Sequence, residues 1–182
     1  MGVFDFFRKK TPGYDSTNIR IQDLDVGFVF EYDLSTWEVR DVYEYDWGDN
    51  YFTQEYQISN GTETKYLSVE EDDELELSIM DKIKVNSVNE KLLQHLIDYQ
   101  KPPKSIVFNG IKFHLENESP GYFNHVTKGD EWEEFRCWNF EDDEGKNMLC
   151  IEQWDEKEFE ASAGTRIKEF EISNILPSEN RK

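Results

Sequence analysis

Basic residues are the scarce class in this sequence: 20 Lys and Arg stand against 40 Asp and Glu in 182 residues, a formal charge of -20. A surface so negative repels phosphate backbones and anionic headgroups. Direct nucleic-acid binding is therefore excluded, and basic protein surfaces, polyamines and other cations are the natural counterparts. Long apolar runs are missing too; no stretch of about 18 such residues occurs, so no membrane-spanning helix is expected. Only two cysteines, Cys137 and Cys150, are present, which argues against a secreted disulfide scaffold and for a reducing, cytoplasmic setting. Met1 to Lys10 lacks the h-region and cleavage site of a signal peptide, and Phe6 stands where a myristoylation pattern needs Ser or Thr.

Catalytic signatures are also missing. There is no Gly-x-Ser-x-Gly elbow, His-Glu-x-x-His, Gly-rich phosphate loop or Cys-x-x-Cys. No catalytic, cofactor-binding or metal residue is assigned, and the protein is not expected to be an enzyme. The acidic runs Glu70-Glu71-Asp72-Asp73-Glu74 and Glu141-Asp142-Asp143-Glu144 invite a calcium reading. Counting back from Gly145, however, puts Phe140 at the first EF-hand position and Ile151 at the last, which rules that motif out. Solvated hairpin tips are the expected reading.

What the chain does have is aromatic residues, 15% of the total, within a hydrophobic fraction of 37%, enough apolar area for a folded core. Phe28 to Asp33, Trp37 to Tyr45, Tyr51 to Ser59, Lys65 to Glu70 and Glu74 to Met80 read as strands bounded by Gly, Asn or Asp, with Asn60-Gly61 as a hairpin turn. Asn89 to Tyr99 instead spaces Leu92, Leu93, Leu96 and Ile97 for a helix, with Asn89 as N-cap and Lys101-Pro102-Pro103 as its stop.

The halves on either side of this helix resemble each other. Val26 to Phe30 parallels Asn109 to Phe113, Tyr66 to Glu74 parallels Met148 to Glu156, and Glu74 to Lys84 parallels Glu158 to Lys168, at offsets of 83, 82 and 84. The expected fold is mainly β: two tandem antiparallel units, barrel-like or sandwich-like, joined by one short helix and related by a pseudo-two-fold axis. The expected boundaries are 1–18 for an N-terminal segment and linker, 19–88 and 104–177 for the repeats, 89–103 for the connector and 178–182 for a tail.

Four groups of residues are candidates for chemistry. If Asp142 to Gly145 closes a hairpin, Cys137 faces Cys150, either as a disulfide or as a pair of small buried thiols. If Glu118 to Gly121 closes another, His114 faces His125 and offers two imidazoles to a metal, with no third ligand evident. Trp37, Trp47, Trp132, Trp138 and Trp154 serve either a binding platform or the core. Phe4, Phe6 and Phe7 beside Arg8, Lys9 and Lys10 form an apolar patch with a basic edge, suited to a membrane interface or a protein groove.

Tyr51, Glu55, Tyr56, Ile58, Gly61, Tyr66, Leu67 and Glu70 in the first half are echoed by Trp132, Trp138, Phe140, Gly145, Leu149 and Glu152 in the second, with Cys137 in the place of Glu55. This pattern resembles a bacterial domain-of-unknown-function family, number four-one-seven-eight in that series. The resemblance covers nearly all the chain beyond residue 20. It implies a β-rich protein with no established reaction, in the company of membrane-associated and polyamine-related genes, and it brings no catalytic residues.

The function expected from all this is a non-enzymatic binding or adaptor protein. Its acidic β surface meets a basic protein, and its N-terminus touches the inner face of a membrane. Two alternatives stand beside it: an enzyme or binder of a polyamine or sugar with its site between the repeats, and a DNA-mimic inhibitor. The enzyme or small-ligand alternative requires a deep pocket with polar groups from both halves and a strongly shifted ionisable residue.

Overall fold

The structure, a computed structural model, describes Asp15 and residues 18–177. Phe4, Phe6, Phe7, Arg8, Lys9 and Lys10 lie outside the described residues.

Five strands come first: β1 (Val29–Tyr32), β2 (Ser35–Asp46), β3 (Phe52–Ser59), β4 (Thr64–Glu71) and β5 (Leu75–Ile83). Two short helices follow, α1 (Val85–Val88) and α2 (Leu92–Tyr99). Then come β6 (Ser105–Phe108), β7 (Ile111–His125), β8 (Trp132–Glu141), β9 (Asn147–Asp155), β10 (Glu158–Ile167) and β11 (Ser173–Leu176). The N-cap of α2 is Lys91 rather than Asn89; Asn89 instead accepts the Lys91 N–H on its side chain at 2.9 Å, forming the turn before the helix.

All strands are antiparallel and belong to one sheet, in the order β11-β1-β2-β3-β4-β5-β10-β9-β8-β7-β6. The sheet closes on itself through four residue pairs between β2 and β7, from Tyr43 with His125 to Asp46 with Tyr122. The result is a ring of eight strands, β2-β3-β4-β5-β10-β9-β8-β7, with β1, β11 and β6 as flanking strands. Strands from both halves thus build one closed barrel, which removes sheet edges that two separate units would expose.

The pairings β1–β2, β2–β3, β3–β4 and β4–β5 recur as β6–β7, β7–β8, β8–β9 and β9–β10. The first of the matched sequence blocks does not share a place in this scheme. Gly27 precedes β1, whereas Gly110 lies in the two-residue turn between β6 and β7. The counterpart of the Asn109-Gly110 turn is Asp33-Leu34, and all four of these residues have positive φ.

Alternation along the ring strands separates two environments. Val39, Val42, Tyr56, Ile58, Leu67, Val69, Leu77 and Ile79 point outward and pack under Ile21, Leu24, Phe28 and Phe30. Leu149, Ile151, Trp138 and Phe140 likewise point outward, under Val85, Val88, Leu92, Leu96 and Ile106 of the helices and β6. Val39 and Val42 share a face despite being three residues apart because a bulge at Arg40 adds one residue to β2. The apolar cores therefore lie outside the barrel wall, and the alternate, more polar residues face the lumen.

Candidate functional site

The lumen is where side chains of non-neighbouring strands meet. Tyr43 of β2 reaches Tyr66 of β4, ring centroids 6.5 Å apart, and Phe123 of β7 reaches Trp154 of β9 at 5.2 Å. Tyr45 packs on Phe123, Phe135 and Trp47 at 5.5 to 5.7 Å. The Trp47 ring needs the bare Gly121 backbone, since a Cβ there would stand 2.9 Å from the ring. This cluster fills one part of the lumen and leaves an open cavity of about 290 Å³ beside it. The cavity is bordered by Tyr43, Tyr45, Glu55 and Lys82 from the first half and Phe123, His125, Trp154 and Glu160 from the second.

Within this aromatic wall sit carboxylates. Glu55 of β3 accepts a hydrogen bond from the Tyr45 hydroxyl at 3.1 Å, and its carboxyl is raised by burial, an effect that Lys82 partly offsets. Glu152 of β9 is pushed up to about 8, first by burial and then by the charge of Glu55 across the lumen, with Lys82 again opposing. Both residues are surrounded by protein yet only half-buried, because the space they border is the water-accessible lumen. Lys82 of β5 lies at the mouth, 2.7 Å from Glu160 of β10. Burial works against its charge, but Glu160, Glu152 and Glu55 together hold it protonated above the ordinary lysine value. The indole N–H of Trp154 is turned toward Glu152 and has no acceptor in hydrogen-bonding geometry among the described residues.

At the other end of the β5–β10 seam, Arg166 of β10 bonds Glu76 of β5 and Glu141 of β8. Each end of the seam is thus tied by a cation on one strand and a carboxylate on the other. A larger hollow of about 460 Å³ lies outside the barrel between this seam and the helices. Its walls are mostly aliphatic and backbone, and the ionic groups it touches include Lys82 and Glu160, already paired with each other.

The remaining sequence candidates are placed as follows. Cys137 and Cys150 do meet, with sulfurs 2.9 Å apart as free thiols, but as diagonal rather than directly opposed residues. Cys137 pairs with Glu152, and Cys150 with Asn139, because Asp142 organises a longer turn by accepting the backbone N–H groups of Lys146 and Asn147. Contact with Cys137, followed by burial and nearby carboxylates, raises the Cys150 thiol well above its usual value.

His114 and His125 do not meet. Pro120-Gly121 does not turn; β7 runs straight through it, pairing Pro120 with Arg136 and Gly121 with Phe135, so the histidines lie at opposite ends of one strand. His125 instead lies 2.5 Å from Asp41, whose other oxygen accepts from Thr127 at 2.5 Å. Burial alone would raise Asp41, but hydrogen bonds from Thr127, His125 and the Val42 N–H outweigh it and lower its carboxyl. His114 is 3.2 Å from Asp143. No group of three or more His, Cys, Asp or Glu suited to a metal ion occurs among the described residues.

Trp37 and Trp138 are core residues, Trp47 and Trp154 join the lumen cluster, and Trp132 is exposed. The acidic stretches 71–74 and 143–144 are exposed at turns, while Glu70 is half-buried and accepts from the Tyr51 hydroxyl. No helix among the described residues is long and apolar enough to cross a membrane.

Comparison with known proteins adds family without activity. A family model described as a domain of unknown function (DUF4178) matches residues 25–169. An uncharacterized protein of Aquifex aeolicus (strain VF5) is 30% identical over 157 residues, covering 86% of this chain and 85% of that protein. No solved structure matches.

Proposed function

We propose that this chain, which belongs to the DUF4178 family, is a binding protein whose barrel lumen takes up a small organic cation. The observation that carries the reading is the composition of the cavity: carboxylates of both halves, Glu55 and Glu160 on its border and Glu152 behind them, set among Tyr43, Tyr45, Phe123 and Trp154. Carboxylates supply charge, and aromatic faces supply the quadrupole attraction that organic ammonium groups meet in aromatic cages. A cavity of about 290 Å³ stands at the small end of ligand sites, suited to a ligand of a few heavy atoms.

Binding without turnover is part of the proposal. The nucleophile candidates in the lumen are held protonated: Lys82 by its carboxylates and the Cys150 thiol by its surroundings, the reverse of an activated nucleophile.

The test is thermal denaturation and calorimetric titration of the full chain with butylamine, tetramethylammonium and putrescine, beside glucose and acetate. Cations are expected to raise Tm with concentration, as ligands of the folded state do, and Glu55→Gln to weaken them about tenfold, near the 1.4 kcal/mol of one lost charge contact. An equal response to glucose or acetate, or none to any cation, would refute the reading.

The exterior supports a second reading, favoured by the charge of -20 and the exposed acidic turns: a basic protein partner held by complementary potential. Affinity capture with and without residues 1–10 tests it. Salt-sensitive recovery of a basic protein is expected, and an empty capture counts against it.

A further inference from the structure

We propose that the lumen exchanges one charge for another: an organic ammonium settles between Glu55 and Glu152 as the proton held by those two carboxylates leaves to solvent. This rests on the cation-binding reading above and adds to it a coupling to pH.

Acids outnumber cations in the lumen. Glu55 from β3, Glu152 from β9 and Glu160 from β10 share one cation, Lys82 from β5, and Lys82 is already engaged by Glu160 at 2.7 Å. The other groups around Glu152 bring no second cation. Cys150 and Trp154 lie on its own strand, Cys137 comes from β8 in the neighbouring register, and Tyr45 of β2 donates to Glu55. Farther out, His125 of β7, Lys128, Glu133 of β8 and Glu158 of β10 border the opening, and His125 is occupied by Asp41.

Glu152 stands directly opposite Glu160 in the β9–β10 register, Glu160 holds Lys82 at 2.7 Å, and Glu55, Lys82 and Glu160 border the same cavity. Three carboxylates gathered around one cation cannot all ionise cheaply, so one keeps its proton. The direction of both carboxyls agrees: Glu55 is raised by burial and, more weakly, by Glu160, with Lys82 opposing, and Glu152 is pushed up to about 8 by burial first and the charge of Glu55 second. An ammonium ion placed between them supplies the missing positive charge, and the exchange balances: a Glu152 carboxylic acid and R–NH3+ give a carboxylate–ammonium pair and one free H+. The complex holds one proton fewer than its separate parts. Raising pH therefore favours it, by about tenfold in affinity per unit below about pH 8 and not above.

Calorimetric titration of butylamine and tetramethylammonium into the full chain at about pH 7, in phosphate and in HEPES, whose sulfonate leaves it without net positive charge, reads the proton directly, because these buffers differ in ionisation enthalpy. Release of close to one proton per ligand is expected. Glu152→Gln should abolish the release and flatten the pH profile of Kd, with Glu55→Gln as the second variant should the first not fold.

A carboxyl-detected 13C titration of the ligand-free protein supplies an independent reading: one glutamate should titrate near pH 8, and that signal should be lost in Glu152→Gln. Binding without proton release overturns the exchange and leaves the cation reading standing. Release that persists in both variants overturns its assignment to this pair, and failure of both cations to bind removes both proposals.

Discussion

Glu152 carries the largest consequence of any single side chain. Its carboxyl rises from the ordinary 4.5 to about 8 in the folded protein, chiefly through burial. Between those values the folded state binds more protons than the unfolded chain, so stability from this group is full below the unfolded value and is lost as pH rises through about 8. Glu152→Gln keeps the shape and removes the titration. The variant should match the parent at acidic pH and exceed it well above pH 8 by on the order of 2–3 kcal/mol, roughly 5–10 °C in Tm for a chain of this size. Thermal melts of both proteins across that range decide it; a constant difference at all pH values would mean that Glu152 is not a buried acid. Asp41 works in the opposite sense. Its lowered carboxyl adds stability above the unfolded value that disappears as pH falls, so the two groups act at opposite ends of the scale.

Among the elements, the β5–β10 seam joins the two halves with a close approach of backbones. Gly164 pairs with Met80, and a Cβ on Gly164 would fall 1.9 Å from the Ile79 carbonyl oxygen, a backbone atom that cannot step aside. Gly164→Ala should therefore push the two halves apart and cost about 1–3 kcal/mol, the usual range for overpacking, with faster amide exchange in β5 and β10. Chemical denaturation measures the first and exchange the second; an unchanged midpoint would mean that the seam can shift without loss.

The strands on either side of this seam were legible in the sequence because their apolar residues recur at every second position. What alternation does not specify is the medium on the other face. Glu55 and Glu152 occupy positions that look solvent-facing on a two-faced strand, and although both belong to the pattern that carries the family resemblance, nothing local gives them a shared site among 40 acidic residues. They become lumen residues only when β2 meets β7 and β5 meets β10, pairings between residues some 80 positions apart. The sole local hint was the flanking of Glu152 by Cys150 and Trp154, two residue types seldom set beside an exposed acid. Pro120-Gly121 misled for the opposite reason. It has the composition of a turn, but the glycine is there to admit the Trp47 ring.

For the whole molecule the governing quantity is charge. Among the described residues, cations are placed with care: Lys65 on Asp81 at 2.8 Å, Lys82 on Glu160, Arg166 between two glutamates. Even so, 20 negative charges are left without a cation to match them. Exposed pairs of this kind contribute roughly 0–1 kcal/mol each, whereas the surplus repels itself over the whole surface and opposes the compact state. Added salt screens both, and because the surplus outweighs the pairs, the net effect should be stabilising. As the screening length contracts from about 30 Å at 0.01 M toward about 3 Å at 1 M, Tm at neutral pH should rise by several degrees, and a fall would show that the ion pairs dominate. The lumen should respond differently. The rise of the Glu152 carboxyl comes first from burial and only then from the charge of Glu55, and salt screens charge rather than burial, so the alkaline stability gap between the parent and Glu152→Gln should survive at high salt. A gap that collapsed with the surface repulsion would place Glu152 in the same screened environment as the exterior acids, and would leave the lumen without the enclosed electrostatics on which selective cation binding depends.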